Sequence, residues 1–589
     1  MPAKPSGEIK TIVVRQKQKN GDIYVFERQI KYDPEKKYNV ILSSKILGKI
    51  PKGEKDIVPT RPKRKSKKKG TDLENNASVP EQLEAKRTKV GMMDIVDHIG
   101  KSSGIDDAIY RSTDDTGTAQ KLLSVARYLF ATNGRTLPGI TTWQYTHPLP
   151  YEYGLSEDVY HDLFESVGRD ETLQQSFFLE RCSALKGRAV LAYDSTTIST
   201  YSANLPEARK GFNKDGDGLD TVKLLTLYSI DTRQPIAFTK QPGNLPDVIS
   251  IENALKELEI LGVTDAEIIT DNGYYSEKNL SDLFLAHFDF ITLVRTNIRW
   301  IRDELLPRMD AFRSTSSACP FDTGTHGITV PLMHEFTKVR KYTSKKTGAR
   351  KGDEETFRRR IYLHLYFNPM RRAEEDTAFD KDLWELRHYL EKGIAAEDLS
   401  EAAQNKVSKY LIVKYRGDQI SVSFNEEAIA EHNKYHGYFA LVSNCEKDAF
   451  DCLYKYRRRG TIESFFESGK QKADGKRTRV WSTDCLRGRM FVQFVSLCYY
   501  EYLCEELRKL KAVLGKANGN PKHDLKTNLD AEKKLLSWLN NNPTYLILQW
   551  FDVVEEVHIS TKLKSKRWNT ETTQRDRMLM EKLGVVRSS

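Results

Sequence analysis

No run of about 18 apolar residues occurs in the 589-residue chain, so no transmembrane helix is expected. The first eight residues carry no apolar core of the secretory kind, which argues against export. Cysteine is sparse and scattered: Cys182, Cys319, Cys445, Cys452, Cys485, Cys498 and Cys504. No two have Cys-x-x-Cys spacing, so neither a zinc motif nor a disulfide framework is expected, and reduced thiols in a cytosol account for them. A glycine-rich nucleotide loop of the Walker type is absent, which argues against an ATP-driven motor. No internal repeat is evident.

What the chain does have is unevenly placed positive charge. Lys and Arg number 93 against 82 Asp and Glu, a net +11. Residues 1–70 hold 20 basic and 7 acidic side chains, or +13, leaving 73 and 75, or −2, for the other 519. The excess is densest from Arg61 to Lys69. Such a run either releases counterions from nucleic-acid phosphates or is a solvated linker.

A second concentration lies near residue 460. Tyr456, Arg459, Glu463 and Lys470 fall within an arc of roughly 60° on one helix face. Ile462 and Phe465 point away, towards a core. A solvated charged face is the ordinary reading of such a stripe. The combination of one carboxylate, two cations and a phenol also suits a metal ion held beside a phosphate backbone.

Two more carboxylates suit the same chemistry. Asp194 ends the apolar run Ala189 to Tyr193 and precedes Ser195, Thr196 and Thr197. Asp271 ends the run Ala266 to Thr270 and precedes Asn272, Gly273 and Tyr274. A short β-rich run ending in Asp reads as a strand presenting its carboxylate at the carboxyl end, or as a plain turn residue. A two-metal phosphoryl-transfer site needs carboxylates converging from separate elements on ions roughly 4 Å apart.

Tyr, two residues, Arg, three residues, Glu, six residues, Lys resembles the signature of the insertion-sequence-four family of DDE transposases. Asp194, Asp271 and Glu463 then match that family's Asp-Asp-Glu triad, Asp271 in its Asp-x-Gly-Tyr context. Gly243, Asn244 and Asp247 are similar to a further family segment, and equally to a turn followed by a helix cap. The resemblance covers roughly residues 188–300 and 436–500. It implies an RNase H-like fold, two Mg²⁺ ions (Mn²⁺ being able to substitute) at Asp194, Asp271 and Glu463, and double-stranded DNA as substrate. The implied activity is cleavage at terminal inverted repeats followed by strand transfer into target DNA, by a homodimer, in a prokaryotic cytoplasm near the nucleoid. Tyr456, Arg459 and Lys470 would contact DNA. Trp300 is a candidate for stacking on a flipped base, with a core position as the other reading. A nuclease that never joins strands, and a non-catalytic DNA-binding protein derived from a transposase, remain alternatives.

The expected organisation follows the chain. Residues 1–90 read as a basic, β-rich segment and linker, with strands at Ile9 to Arg15 and Asp22 to Tyr32 joined by a turn at Lys19 to Asp22, and a polar, disordered stretch at 70–85. Residues 91–188 are helical, serving DNA binding or dimerisation. Residues 189–294 run three strands, helix, strand, helix, strand, the order of an RNase H-like core whose first and fourth strands lie side by side. A mixed five-stranded sheet with flanking helices is therefore expected. Residues 295–435 are expected to form a β-rich insertion and 436–482 to return to the core with the Glu463 helix, entered through a capping box at Ser443 and Glu446. Gly460 is a candidate kink in that helix. Residues 483–589 are expected to be helical.

Overall fold

The computed structural model describes residues 9–18, 21–33, 38–58, 60, 84–185, 187–211, 213–340, 343, 350–416, 419–518, 526–560 and 565–585. Two compact units divide the chain, Met1–Glu81 and Gln82–Ser589. In the first, β1 (Lys10–Lys17), β2 (Ile23–Asp33) and β3 (Tyr38–Ile50) form an antiparallel sheet in that order. The expected strand pair thus gains a third member, drawn from the β-branched run after Tyr38. The turn positions Lys19 and Asn20, the basic run 61–69 and the polar stretch 70–83 lie outside the described residues.

The second unit opens with β4 (Glu84–Lys89) and then turns helical. The helix Thr116–Ala131 is capped by Asp115, whose carboxylate accepts from the Gly117 N–H. It buries Leu122, Leu123, Val125, Ala126 and Leu129 at helical spacing. Phe177 and Phe178, on the helix Glu171–Ser183, meet Phe491 edge-on. Phe491 belongs to a 36-residue helix, Thr483–Asn518, which crosses this layer. Among the described residues no helix is long and apolar enough to cross a membrane.

The core sheet is built from β5 (Ala189–Thr200), β6 (Asp220–Ser229), β7 (Gln234–Pro242), β8 (Ala266–Thr270) and β9 (Asp289–Val294). They stand in the order β7-β6-β5-β8-β9. β5 pairs parallel with β8, and β8 parallel with β9, while β6 and β7 run antiparallel. The first and fourth strands are therefore adjacent. β5 is buried on both faces, as a central strand covered by helices must be.

Among the described residues the sheet runs past these five strands to nine. Beyond β9 it continues through β15 (Tyr438–Ser443), β12 (Glu354–Phe367), β11 (Asp322–Val339) and the two-residue β10 (Ala318–Cys319). β12 pairs with β15 from Tyr362 to Phe367, so the intervening segment covers a strand edge that would otherwise present unpaired backbone groups. That segment is also more helical than a β-rich insertion. It carries the 23-residue helix Pro369–Glu391, the helices Glu401–Tyr410 and Glu426–Asn433, and the hairpin of β13 (Leu411–Arg416) and β14 (Gln419–Phe424). Phe379, Leu383, Leu386 and Leu390 recur at helical spacing and pack with Val407, Tyr410, Leu411 and Val422. Near the C-terminus two strands interrupt the expected helices. β16 (Glu555–Ser560) pairs with β4 and with β17 (Ser565–Asn569).

One ionisable group in this architecture carries a pH signature. The phenol of Tyr228 on β6 donates to Glu501 of the long helix at 2.9 Å. Burial pushes the Glu501 carboxyl from its ordinary 4.5 up to about 7, against the opposing pull of the Tyr228 hydrogen bond and of Lys472 and Arg233. A raised folded-state value means that the stability from this group is full below about 4.5. It is lost as pH climbs to about 7. Glu501→Gln, whose amide oxygen still accepts from Tyr228, should remove that dependence. Denaturant titrations at pH 5 and pH 8 should show the wild-type difference shrinking by on the order of 2 kcal/mol in the variant. Parallel pH profiles for the two proteins would contradict the assignment.

Candidate active site

Asp194 lies in the middle of β5, not at its end. The run after it, rich in Thr and Ser with Ile198, continues to pair with β6 as far as Thr200. The parallel partner β8 is shorter, and its ladder with β5 stops at Ala192 and Ile269. Two residues further along each chain come Asp194 and Asp271, so both lie on the same side of the sheet, just past the ladder. Asp271 caps the short turn Asn272–Tyr274, with its Oδ1 accepting from the Asn272 N–H at 2.7 Å. Asp194 Oδ1 accepts from the Ser195 N–H at 2.8 Å.

Glu463 arrives from a helix that is split. Ala449–Arg458 and Gly460–Lys472 are separate helices meeting at Arg459, whose φ of −55° and ψ of −30° remain helical. The first is capped by Asp448, which accepts from the Phe450 and Asp451 N–H groups. The expected capping box at Ser443 is instead a turn: Ser443 Oγ accepts from the N–H groups of Cys445 and Glu446 before any helix begins. The helical conformation at the junction keeps Tyr456, Arg459 and Glu463 on one side.

Arg459 gathers the carboxylates. Its Nη1 bonds Asp194 Oδ2 at 2.6 Å, and its Nη2 lies 2.7 Å from Glu463 Oε1 and 3.5 Å from Asp271 Oδ2. The Tyr456 hydroxyl donates to Asp271 Oδ1 at 3.2 Å, and its ring lies 5.6 Å from the guanidinium carbon. Asp194 and Arg459 are buried, whereas the Glu463 side chain is 62% exposed. Burial pushes the Asp194 carboxyl upward, against the pull of Arg459 and Lys214. Burial opposes charge on Arg459 too, but Asp194, Tyr456, Asp271 and Glu463 hold its pKa above the ordinary value, so it stays a cation. Burial likewise raises the Tyr456 phenol, which is a neutral donor.

The other singled-out residues are placed differently. Lys470, two turns beyond Glu463, pairs with Asp215 at 2.8 Å and does not touch the three carboxylates. Trp300 is half-buried. Its Nε1 donates to Glu277 at 3.1 Å and to the Tyr275 hydroxyl at 3.3 Å, and its ring lies against His334. Asp247 proves to be a neighbour of the group. Its Oδ1 accepts from Ser195 Oγ and from Lys223 Nζ, both at 2.8 Å. Gly243, four residues before it, is required by space: a Cβ there would lie 2.1 Å from the Thr221 carbonyl oxygen. A separate group, Glu267, Cys445 and Glu446, brings its ligand atoms within 4.8 Å of one another. Lys455 bonds both of its carboxylates, which satisfies them within the protein.

Three carboxylates, from a strand, a strand end and a helix, thus gather just past the end of the β5–β8 ladder around one guanidinium. The family described as "Transposase DDE domain" matches residues 185–499, just over half of the chain, and the protein belongs to that family. Among curated proteins none matches. Among solved structures the chain is similar to a piggyBac transposase synaptic complex with hairpin DNA determined by cryo-EM, at 11% identity and a TM-score of 0.34, with 84% of this chain and 82% of that one covered.

Proposed function

We propose that this protein is a DNA transposase of the insertion-sequence-four group, cutting and joining DNA ends with divalent ions held by Asp194, Asp271 and Glu463. The observation that carries the reading is the single guanidinium of Arg459 reaching all three carboxylates. Groups that share one cation can share another. The adjacency of β5 and β8, with β6 and β7 beyond β5, supports an RNase H-like core.

The donor set suits Mg²⁺, since all three groups offer hard oxygens and Asp271 and Glu463 stay partly open to solvent. When bound, two such ions supply an activated water or 3′-hydroxyl and stabilise the leaving oxygen. The protein supplies the rest. β5 and β8 fix the two aspartates in register, and the junction at Arg459 aims Glu463 at them. Ser195 and Lys223 hold Asp247 alongside. Lys470 and Arg459, paired here with Asp215 and with the three carboxylates, would exchange those partners for the DNA backbone, and Tyr456 orients Asp271. Trp300, engaged by Glu277, would need to leave that contact to stack on a base. Terminal inverted repeats, target DNA and a homodimer spanning paired ends complete the proposal.

The test uses the DNA flanking the gene as substrate, a supercoiled plasmid as target, and Mg²⁺. Joined products carrying the flanking ends are expected. Cleavage without joining would make the protein a nuclease, and binding without cleavage a DNA-binding protein only.

A further inference from the structure

Arg459 occupies the position that a cation among these carboxylates must take. Its side chain is 8% exposed, it lies over the Tyr456 ring, and its two terminal nitrogens serve Asp194, Asp271 and Glu463. Both oxygens of Asp194 are already engaged. Its Oδ1 is taken by the Ser195 N–H and its Oδ2 by Arg459, while the nearby amine of Lys214 is bonded to the Ser195 carbonyl. The residue also sits at a joint. Arg459 N–H bonds the Tyr456 carbonyl and Ile462 N–H bonds the Arg459 carbonyl, both at 2.9 Å with three-residue spacing. At Gly460 an added Cβ would meet nothing within 4 Å. Packing therefore does not require glycine there, whereas a pivot between two helices would use its freedom.

We infer that Arg459 is a resident counter-cation whose release couples DNA binding to ion binding. While the guanidinium holds the carboxylates, divalent ions are held weakly. A DNA phosphate can offer oxygens to both of its terminal nitrogens at once. Arg459 then moves to the phosphate, and Asp194, Asp271 and Glu463 become available. This rests on the metal-site reading above. It makes Arg459 a positioning residue whose effect appears in ion affinity before any bond is broken.

The experiment measures Mn²⁺ binding to the full-length protein by electron paramagnetic resonance, without DNA and with a 30-base-pair duplex. Wild type should bind Mn²⁺ at least about tenfold tighter when the duplex is present. Arg459→Ala should show that tighter binding without DNA and gain little from the duplex. Arg459→Lys, which keeps the charge, should stay weak. Arg459→Gln, which keeps more of the side chain than alanine while removing the charge, serves in case the Ala variant impairs folding. A variant that unfolds alone should be restored by Mn²⁺, as seen in its melting temperature, and lack of restoration would count against the inference. Unchanged or weaker Mn²⁺ binding in a folded Arg459→Ala protein would overturn it. Adding Glu463→Gln to Arg459→Ala separates the two readings. Mn²⁺ affinity indifferent to Glu463 would sink the metal site itself, whereas affinity that depends on Glu463 but not on Arg459 would sink the counter-cation alone.

Discussion

Glu463→Gln is expected to lower Mg²⁺-dependent DNA cleavage by at least about a thousandfold while leaving DNA binding within about threefold of wild type. The amide keeps the shape of the side chain and can still accept from Arg459, but it loses the charge that a hard divalent ion requires. Glu463 is the cleanest of the three positions to test. Its side chain is 62% exposed and shares Arg459 with two other carboxylates, so folding tolerates its neutralisation. Asp194→Asn would be harder to read. Asp194 is buried against a buried guanidinium, and removing one partner of such a pair costs roughly 3–5 kcal/mol. Gel-shift and cleavage assays on one substrate, with circular dichroism to confirm folding, check the prediction. Cleavage within tenfold of wild type would remove Glu463 from the metal-binding set.

The residues that could be read from the chain are those whose signal is local. Short strand-like runs ending at Asp194 and Asp271 mark two strands, and the 2-3-6 spacing after Tyr456 marks the Glu463 face. The strand order that sets β5 against β8 follows from the sequence of strands and helices around them. Pairings over long separations carry no such local mark. Nothing in 322–367 announces that β12 will pair with β15, because an exposed edge is a property of the assembled sheet. The apolar spacing of Phe379, Leu383, Leu386 and Leu390 was available, but the charges around it mask a helix whose mean hydropathy is low. Asp194 reads as a strand end because the apolar run stops there, yet a Thr-rich continuation pairs with β6 equally well. The placement of Arg459 among the carboxylates also lies beyond sequence. Spacing puts Arg459 and Glu463 on one face, but it cannot tell whether the guanidinium turns to a phosphate or back to Asp194. Lys470 shares the face in sequence and faces Asp215 in space, since two helical turns, about 10 Å, separate it from Glu463.

Deleting residues 1–70 is expected to flatten the salt dependence of non-specific DNA binding. Those residues carry +13 and the remainder −2, so most of the long-range attraction to phosphate resides in the first unit. With about six phosphate contacts, log affinity should fall with log salt at a slope near −5, or about a thousandfold between 50 and 200 mM. The truncated protein should lose most of that slope. Its Asp194, Asp271 and Glu463 centre should survive, because Met1–Glu81 and Gln82–Ser589 are separate compact units. The competing surface is the hairpin of β11 and β12, which bears Arg340 and Arg358 to Arg360. There, however, Arg340 pairs with Glu355 and Arg358 with Glu335, so part of the charge is already neutralised within the protein. Fluorescence anisotropy with a labelled random duplex across a salt series distinguishes the two. A slope unchanged by the deletion would move the main DNA surface onto that hairpin and reduce the run from Arg61 to Lys69 to a solvated linker.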